Sequence, residues 1–425
     1  MVRRVIVACG LVAVAAIGLL VAPAAGAAPI TTFDVLNAMN DQQQEAYLQK
    51  HPELLIQLAN TDPDAVHDDW ESMDAAERKD AVDTIPEVIG NLDGVDYRDR
   101  DTANRKALKQ AVAKAQRLLR DHPDDQLNQR VLGSLTAIQK TMKGKRTPAR
   151  HLVALSLDRP PLASIAIGDL DAAANVTFLV PGMGTYTDDM QLWTQSAQNL
   201  YDEQGDVGGP KRRAVVSWIG YVTPPPGIDA ALGDYASRGA PLLTADLRGV
   251  NAARVDHPPK ALNVVAHSYG TTTSANALAD ARDLGVYAFV MLGSAGIEGR
   301  IPNAGALHVE HTYAGEAEAD GEARFGRITR RDPRSPSFGA TVISVDGDEQ
   351  ADLLPVTGHA PVLHSAWNDD PLSSAWSKIT DTVLFEKKFA EHLANYGYLD
   401  AYTESLRNTA VATTPGADRL LLRGH

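Results

Sequence analysis

The sequence predicts an α/β protein: a mostly parallel, eight-stranded sheet with helices on both faces, preceded by a helical N-terminal module. Three observations lead there. From about residue 151, short apolar runs alternate with helical stretches, as they do when strands are buried on both faces. Before that point, apolar residues recur at helical spacing. The run 262–266 then leads directly into a turn of the form small-x-Ser-x-Gly, Ala266-His267-Ser268-Tyr269-Gly270.

The N-terminus comes first. Arg3 and Arg4 precede an apolar run from Val5 to Ala22, followed by Pro23-Ala24-Ala25-Gly26-Ala27-Ala28. A basic start, an apolar stretch and an A-x-A-like step are the layout of a secretory signal peptide over 1–27. The expected location is therefore secreted or at the cell envelope, and an uncleaved membrane anchor is the runner-up, because the run is just long enough to span a bilayer. Cys9 is the single cysteine. A chain cut after Ala27 has no disulfide, thiol nucleophile or cysteine metal site. The net charge of −14 makes the chain a poor candidate for nucleic-acid binding, which needs a basic footprint, and serves solubility.

Residues 28–150 read as the helical module. Leu108, Val112, Ala115 and Leu119 mark one helix; Leu127, Val131, Leu135 and Ile138 mark another. His122-Pro123 and Gly144 are their expected stops. The basic stretch Lys143–Pro148 reads as a linker. Strands are expected over 152–157, 162–167, 176–180, 213–219, 262–266, 286–292, 307–313 and 340–345, with helices notably over 229–247 and 271–284. This third region, 151–425, carries an insertion at about 348–394.

The turn after the fifth strand carries the chemistry. A serine hydroxyl is a poor nucleophile unless it is presented bare, beside a base and near donors for an oxyanion. A sharp strand-to-helix turn does this, and it needs small residues two before and two after the serine. Ala266 and Gly270 fill those places, Ala266 departing from the commoner glycine. Eight strands with this elbow after the fifth is the α/β-hydrolase order, and Ser268 is its nucleophile. Tyr269 supplies one oxyanion N–H. Thr177–Thr185 is an apolar strand running into a glycine-rich turn; Met183 is the second donor, with Gly184 as its alternative.

In this fold the acid follows the seventh strand and the histidine the eighth. Asp320, beside Gly321, is the first candidate acid; Glu318 and Glu316 are its rivals. His308 and His311 fall within the seventh strand and read as sheet or loop residues. His359, in a glycine-preceded turn, is the first candidate base, with His364 and His392 as alternatives. His267 reads as a structural neighbour of the serine. Such a triad needs no metal and no organic cofactor.

The chain also resembles a family of secreted actinobacterial α/β-hydrolases long catalogued as a domain of unknown function. The likeness rests on Ile89-Gly90-Asn91-Leu92-Asp93-Gly94-Val95, Arg100-Asp101-Thr102-Ala103-Asn104-Arg105, Ile167-Gly168-Asp169-Leu170-Asp171 and Val180–Thr185. It continues through Trp218-Ile219-Gly220-Tyr221, Ala266–Gly270, Ser337-Phe338-Gly339-Ala340 and Ser405-Leu406-Arg407-Asn408, covering roughly 50–415. It implies a hydrolase core behind a helical module and is consistent with Asp320 as acid. The family's histidine lies shortly before an aromatic-Leu-Asp stretch like Tyr398-Leu399-Asp400. Here the nearest matching position holds Asn395, so on that alignment the base has moved to His359 or His364, or is missing.

The expected activity is hydrolysis of a small-molecule or lipid ester through an acyl-enzyme, with possible peripheral association with the cell envelope. The alternative is a catalytically inactive hydrolase fold used as a surface binding module. Only Gly293–Ala306 separates the sixth and seventh strands, too little for a cap domain, so the helical module and the insertion are expected to cover the cleft. The sequence carries no signal of oligomeric state.

Overall fold

The computed structural model describes residues 62–143, 147–158, 160–364 and 395–417. The apolar N-terminal run, Gly144 and His392 lie outside the described residues. Among those described, no helix is long and apolar enough to cross a membrane.

The described part of the module opens with three short helices, α1 (Pro63–Ser72), α2 (Ala75–Thr84) and α3 (Pro86–Ile89). Asp74 and Glu77 form a reciprocal capping box that satisfies orphan amides at the start of α2. Two longer helices follow, α4 (Tyr97–Asp121) and α5 (Gln126–Thr141). Leu108, Val112 and Ala115 on α4, and Leu135 and Ile138 on α5, are buried as their spacing predicts, whereas Leu127 stays exposed. His122 closes α4.

The sheet comprises β1 (Arg150–Ser156), β2 (Leu162–Ile167), β3 (Asn175–Val180), β4 (Arg213–Ile219), β5 (Ala261–His267), β6 (Val286–Leu292), β7 (His311–Gly315) and β8 (Thr341–Val342). Between strands run α6 (Met190–Asp206), α7 (Asp234–Ala253), α8 (Tyr269–Asp280) and α9 (Gly321–Gly326), and α10 (Glu404–Ala412) closes the described chain. The spatial order is β1-β2-β4-β3-β5-β6-β7-β8, antiparallel at β1/β2 and β2/β4 and parallel elsewhere. This is the α/β-hydrolase fold. One core packs α7 and α8 on one face. The other packs α6, α10 and the two long module helices on the opposite face.

Several boundaries differ from those expected, among them the helix placed over 271–284, which runs Tyr269–Asp280. The seventh strand begins at His311, because 304–307 forms a 3₁₀ turn and His308 takes a left-handed φ of 55°. The eighth strand pairs over two residues only; the amide of Ile343 still donates to Ala314, and the chain then turns at Gly347. The helix expected over 229–247 starts at Asp234, after a 3₁₀ turn at Ile228–Ala231.

The module does not sit over Ser268. It packs along β1, four strands from β5, or about 19 Å at ordinary strand spacing. It also meets α7 through α1, and the turn Thr187–Asp189 through α5, where the Ser134 hydroxyl donates to Asp188 at 2.6 Å. The sequence motifs of the module serve the outer edge of β1, whose backbone groups have no strand to pair with. The amide of Leu152 donates to Asp101 at 2.6 Å, and Asn104 donates to the Leu152 carbonyl at 3.0 Å. Asn91 makes both bonds to Leu155, at 2.7 and 2.9 Å, and Arg105 donates to the Arg150 carbonyl.

Of the stretch read as an insertion, 348–364 packs on the sheet. Asp348 bridges Leu353, Leu354 bridges Thr403, and the amide of Val356 donates to Val345. Residues 365–394 lie outside the described residues.

Candidate functional site

β5 is buried along its whole length and delivers Ser268 at its carboxyl end. Ser268 adopts φ 54° and ψ −125°, a conformation rare for a residue with a side chain, and so projects from the turn into α8. The turn is held from both sides. The Ser268 amide donates to Leu292, and its carbonyl accepts from Thr271 and Ala295. The small residues are required by space: a Cβ on Gly270 would lie 2.6 Å from the Val180 and Pro181 carbonyl oxygens, and one on Gly182 would lie 2.5 Å from the Ser268 Cβ.

The structure brings three of the candidate residues together. His359 Nε2 lies 2.8 Å from Ser268 Oγ, and its Nδ1 lies 2.8 Å from each Asp320 carboxylate oxygen. Asp320 is fully buried and also accepts from the Tyr398 hydroxyl at 2.7 Å and the Ala323 amide at 2.8 Å. Burial alone would raise its pKa. The bonds and charge of His359, with those from Ala323 and Tyr398, outweigh that and hold it at about 2. An ionised carboxylate only accepts, so Nδ1 carries the imidazole proton and Nε2 faces the serine as a bare acceptor. The absence of a side chain at Gly293 is also needed, since a Cβ there would meet Asp320 at 2.8 Å and the Tyr398 ring at 2.9 Å.

The rival residues are engaged elsewhere. Glu316 forms an ion pair with Arg327 and Arg334, and Glu318 is exposed. His364 binds Asp400 through its ring at 3.1 Å and its amide at 2.9 Å, and the Asp400 hydrogen bond raises its pKa. His311 contacts Glu310 and Tyr287. Asn395 is exposed. The chain that bears His359 lies beside the aromatic-Leu-Asp stretch: Tyr398 donates to Ala360, Leu399 to Pro361, and Thr357 to Tyr396. The histidine therefore stands next to Tyr398-Leu399-Asp400 in space, and the 365–394 stretch separates them only in sequence.

His267 is more than a filler of the elbow's variable position. A carbonyl can only accept, so its Nε2–H donates to the His359 carbonyl, at 2.7 Å. Burial, then the neighbouring His359, lowers its pKa to about 3, so the ring is neutral. Neither this bond nor the Tyr398 bond to Asp320 was evident from sequence, because both partners are remote along the chain.

The turn after β3 is pinned by residues after β4. Tyr221 donates to the Pro181 carbonyl at 2.8 Å, and Thr223 donates to the Thr185 carbonyl at 2.9 Å. The Gly184 amide donates to Pro224 at 3.0 Å and so is committed. Among the described residues the Met183 amide has no partner. Tyr269 opens α8, where an amide has no carbonyl one turn back.

A separate cavity of about 1000 Å³ lies between the module and the β1–β2–β4 end of the sheet. Asp93, Arg100, Gly220, Val222, Leu242 and Asp246 are among its lining, and neither Ser268, Asp320 nor His359 is.

The sequence model of a family described as alpha/beta hydrolase matches residues 158–325, less than half of the chain, including Ser268 and Asp320 but not His359. Two uncharacterized proteins of Mycobacterium tuberculosis, from strains CDC 1551 and H37Rv, are 27% identical over 310 residues, 65% of this chain. The chain covers 46% of the length of these relatives. Among solved structures, esterase PE8 matches 52% of this chain and 98% of its own at 14% identity and a TM-score of 0.33. A hyperthermophilic esterase from Pyrobaculum calidifontis matches 67% and 98% at 12% identity and a TM-score of 0.34. Likeness at this level says nothing of the reaction or substrate of this chain.

Proposed function

We propose that the chain is a serine hydrolase acting on carboxylic esters or lipids through Ser268, His359 and Asp320. The observation that carries this reading is the unbroken relay of 2.8 Å contacts from Ser268 Oγ through His359 to Asp320. His359 Nε2 accepts the Ser268 proton as Oγ attacks the substrate carbonyl, and the imidazolium is stabilised by ionised Asp320. The oxyanion is bound by the amides of Met183 and Tyr269. Collapse of the tetrahedral intermediate expels the alcohol, which takes its proton from His359. Water, deprotonated by the same histidine, then attacks the acyl-enzyme and releases the acid.

The alternative, an inactive hydrolase fold used for binding, calls for no base opposite Ser268, and the 2.8 Å contact weighs against it. A fluorophosphonate probe tests the choice. Labelling of the wild type, lost in Ser268→Ala and reduced by about 10³-fold or more in His359→Ala, is the expected outcome. Labelling that is absent, or that persists in Ser268→Ala, removes the reading.

The N-terminal pattern further supports export, with release of residues 1–27. N-terminal sequencing of released protein should begin at Ala28; an intact N-terminus retained in the membrane fraction would favour the anchor.

A further inference from the structure

Among the described residues, the three most exposed large apolar side chains are Ile228 at 76%, Ile328 at 71% and Phe325 at 60%. All three fall on two short segments that touch, and Leu232, 49% exposed, joins them. The segments are the 3₁₀ turn Ile228–Ala231 with Leu232, and α9 with the turn that follows it to Arg331. Arg330 donates to the Ala230 carbonyl at 2.9 Å and to the Leu232 carbonyl at 2.7 Å, and Thr329 donates to Ala231. Single exposed apolar residues are ordinary, but a cluster held on one face marks an interaction surface.

This face is tied to the rim of the Ser268 cleft. The Tyr269 hydroxyl donates to the Leu232 carbonyl at 2.7 Å and accepts from the Ala236 amide at 3.0 Å. On the other side, Asp320 accepts the Ala323 amide and thereby caps α9. Each segment is thus anchored to the nucleophile's neighbour or to the acid itself.

The charge of residues 321–331 is opposite to that of the chain. Residues 321–331 hold Arg324, Arg327, Arg330 and Arg331 against Glu322. Arg327 is neutralised by Glu316 and Asp332. Arg330 is spent on carbonyls and on the Tyr269 ring, with no carboxylate at ion-pair distance among the described residues. Arg324 and Arg331 are exposed; the nearby acids are exposed Glu322 and Asp234 and half-buried Asp229 and Glu298, the last paired with Arg300. At physiological salt, fields fade over about 8 Å, so a surface approaching α9 meets the arginines of 321–331 and not the net −14.

We propose that this face docks on an anionic lipid surface. Ile228, Leu232, Phe325 and Ile328 enter the headgroup–acyl boundary while Arg324 and Arg331 meet the headgroups, an arrangement of apolar and cationic groups suited to an interface. Esters drawn from that surface are then the substrates delivered to Ser268. Only this last step rests on the function proposed above.

The test uses the full chain carrying Cys9→Ser and Phe325→Cys, labelled with an environment-sensitive fluorophore. The probe is a vesicle of phosphatidylglycerol and phosphatidylcholine in equal parts, compared with pure phosphatidylcholine. Emission at 325 should rise and shift to the blue with the anionic vesicle only, while a label at Gln116→Cys on α4 stays unchanged. Adding Arg324→Glu and Arg331→Glu should weaken the response by about ten-fold or more. No response, or an equal response to neutral vesicles, overturns the proposal. So does a label already shielded from iodide without vesicles, which would mean that the chain itself or a second copy covers the face. The readout needs no hydrolysis, so docking without Ser268-dependent labelling would sink the proposed enzyme alone. If both hold, Phe325→Ser with Ile328→Ser should slow hydrolysis of a vesicle-borne ester by about ten-fold and leave a water-soluble ester within about two-fold.

Discussion

Ser268 holds a backbone conformation that costs on the order of 1–3 kcal/mol in a residue with a Cβ, and the bonds to Leu292, Thr271 and Ala295 sustain it. Ser268→Gly should therefore abolish labelling yet raise unfolding stability relative to Ser268→Ala by about 1 kcal/mol, measured by denaturant titration. Equal stabilities would mean the turn is unstrained. His267 carries a different prediction. It links the strand that leads into Ser268 to the backbone of His359, so on the proposed mechanism His267→Ala should lower kcat by about ten-fold with little change in KM, and His267→Gln, which keeps a donor, should recover part of the loss. Because the ring is neutral above about pH 3, the acid limb of the pH profile should keep its midpoint in His267→Gln; a moved limb would mean that His267 titrates in the reaction. Ser268, Asp320 and His359 could all be proposed from chain order and flanking glycines. The supporting pair, His267 to His359 and Tyr398 to Asp320, could not, since nothing local announces a bond across 92 or 78 residues.

Among elements, the strands β1 to β6 were readable because each centres on a mostly apolar run. β7 and β8 were displaced or shortened because their ends depend on turns, at His308 and Gly347, that apolar patterning does not encode. The packing of α4 and α7 near β4 hid a further feature. Asp93 bonds Arg100 at 2.9 Å, and Trp218 donates to Asp246 at 2.5 Å. Burial, then the nearby Asp93 carboxylate, pushes Asp246 up to about 6. A folded state that binds this proton more tightly than the unfolded chain loses stability as pH rises from the ordinary carboxylate value of 3.8 towards 6. Asp246→Asn should flatten that decline, read as the difference in unfolding free energy between variant and wild type across the window. Parallel curves would show that Asp246 does not titrate there.

For the molecule as a whole, the helical module is part of the sheet's construction. Asn91, Asp101, Asn104 and Arg105 occupy the backbone groups of β1 that another strand would otherwise use. These residues lie in two of the segments that carry the family resemblance, but their purpose was hidden, because nothing local in 89–95 or 100–105 names β1 as a partner. Replacing Asn91, Asp101 and Asn104 together with alanine should cost several kcal/mol, at about 1–3 per orphaned buried bond, and should also change the particle's size. With its border unguarded, β1 becomes a template on which a second molecule can extend the sheet, so sedimentation velocity should find concentration-dependent dimers or larger species. A destabilised variant that stays monomeric at every concentration would refute this. The motif then has a social consequence as well as an architectural one: it keeps each copy of the chain from becoming its neighbour's next strand.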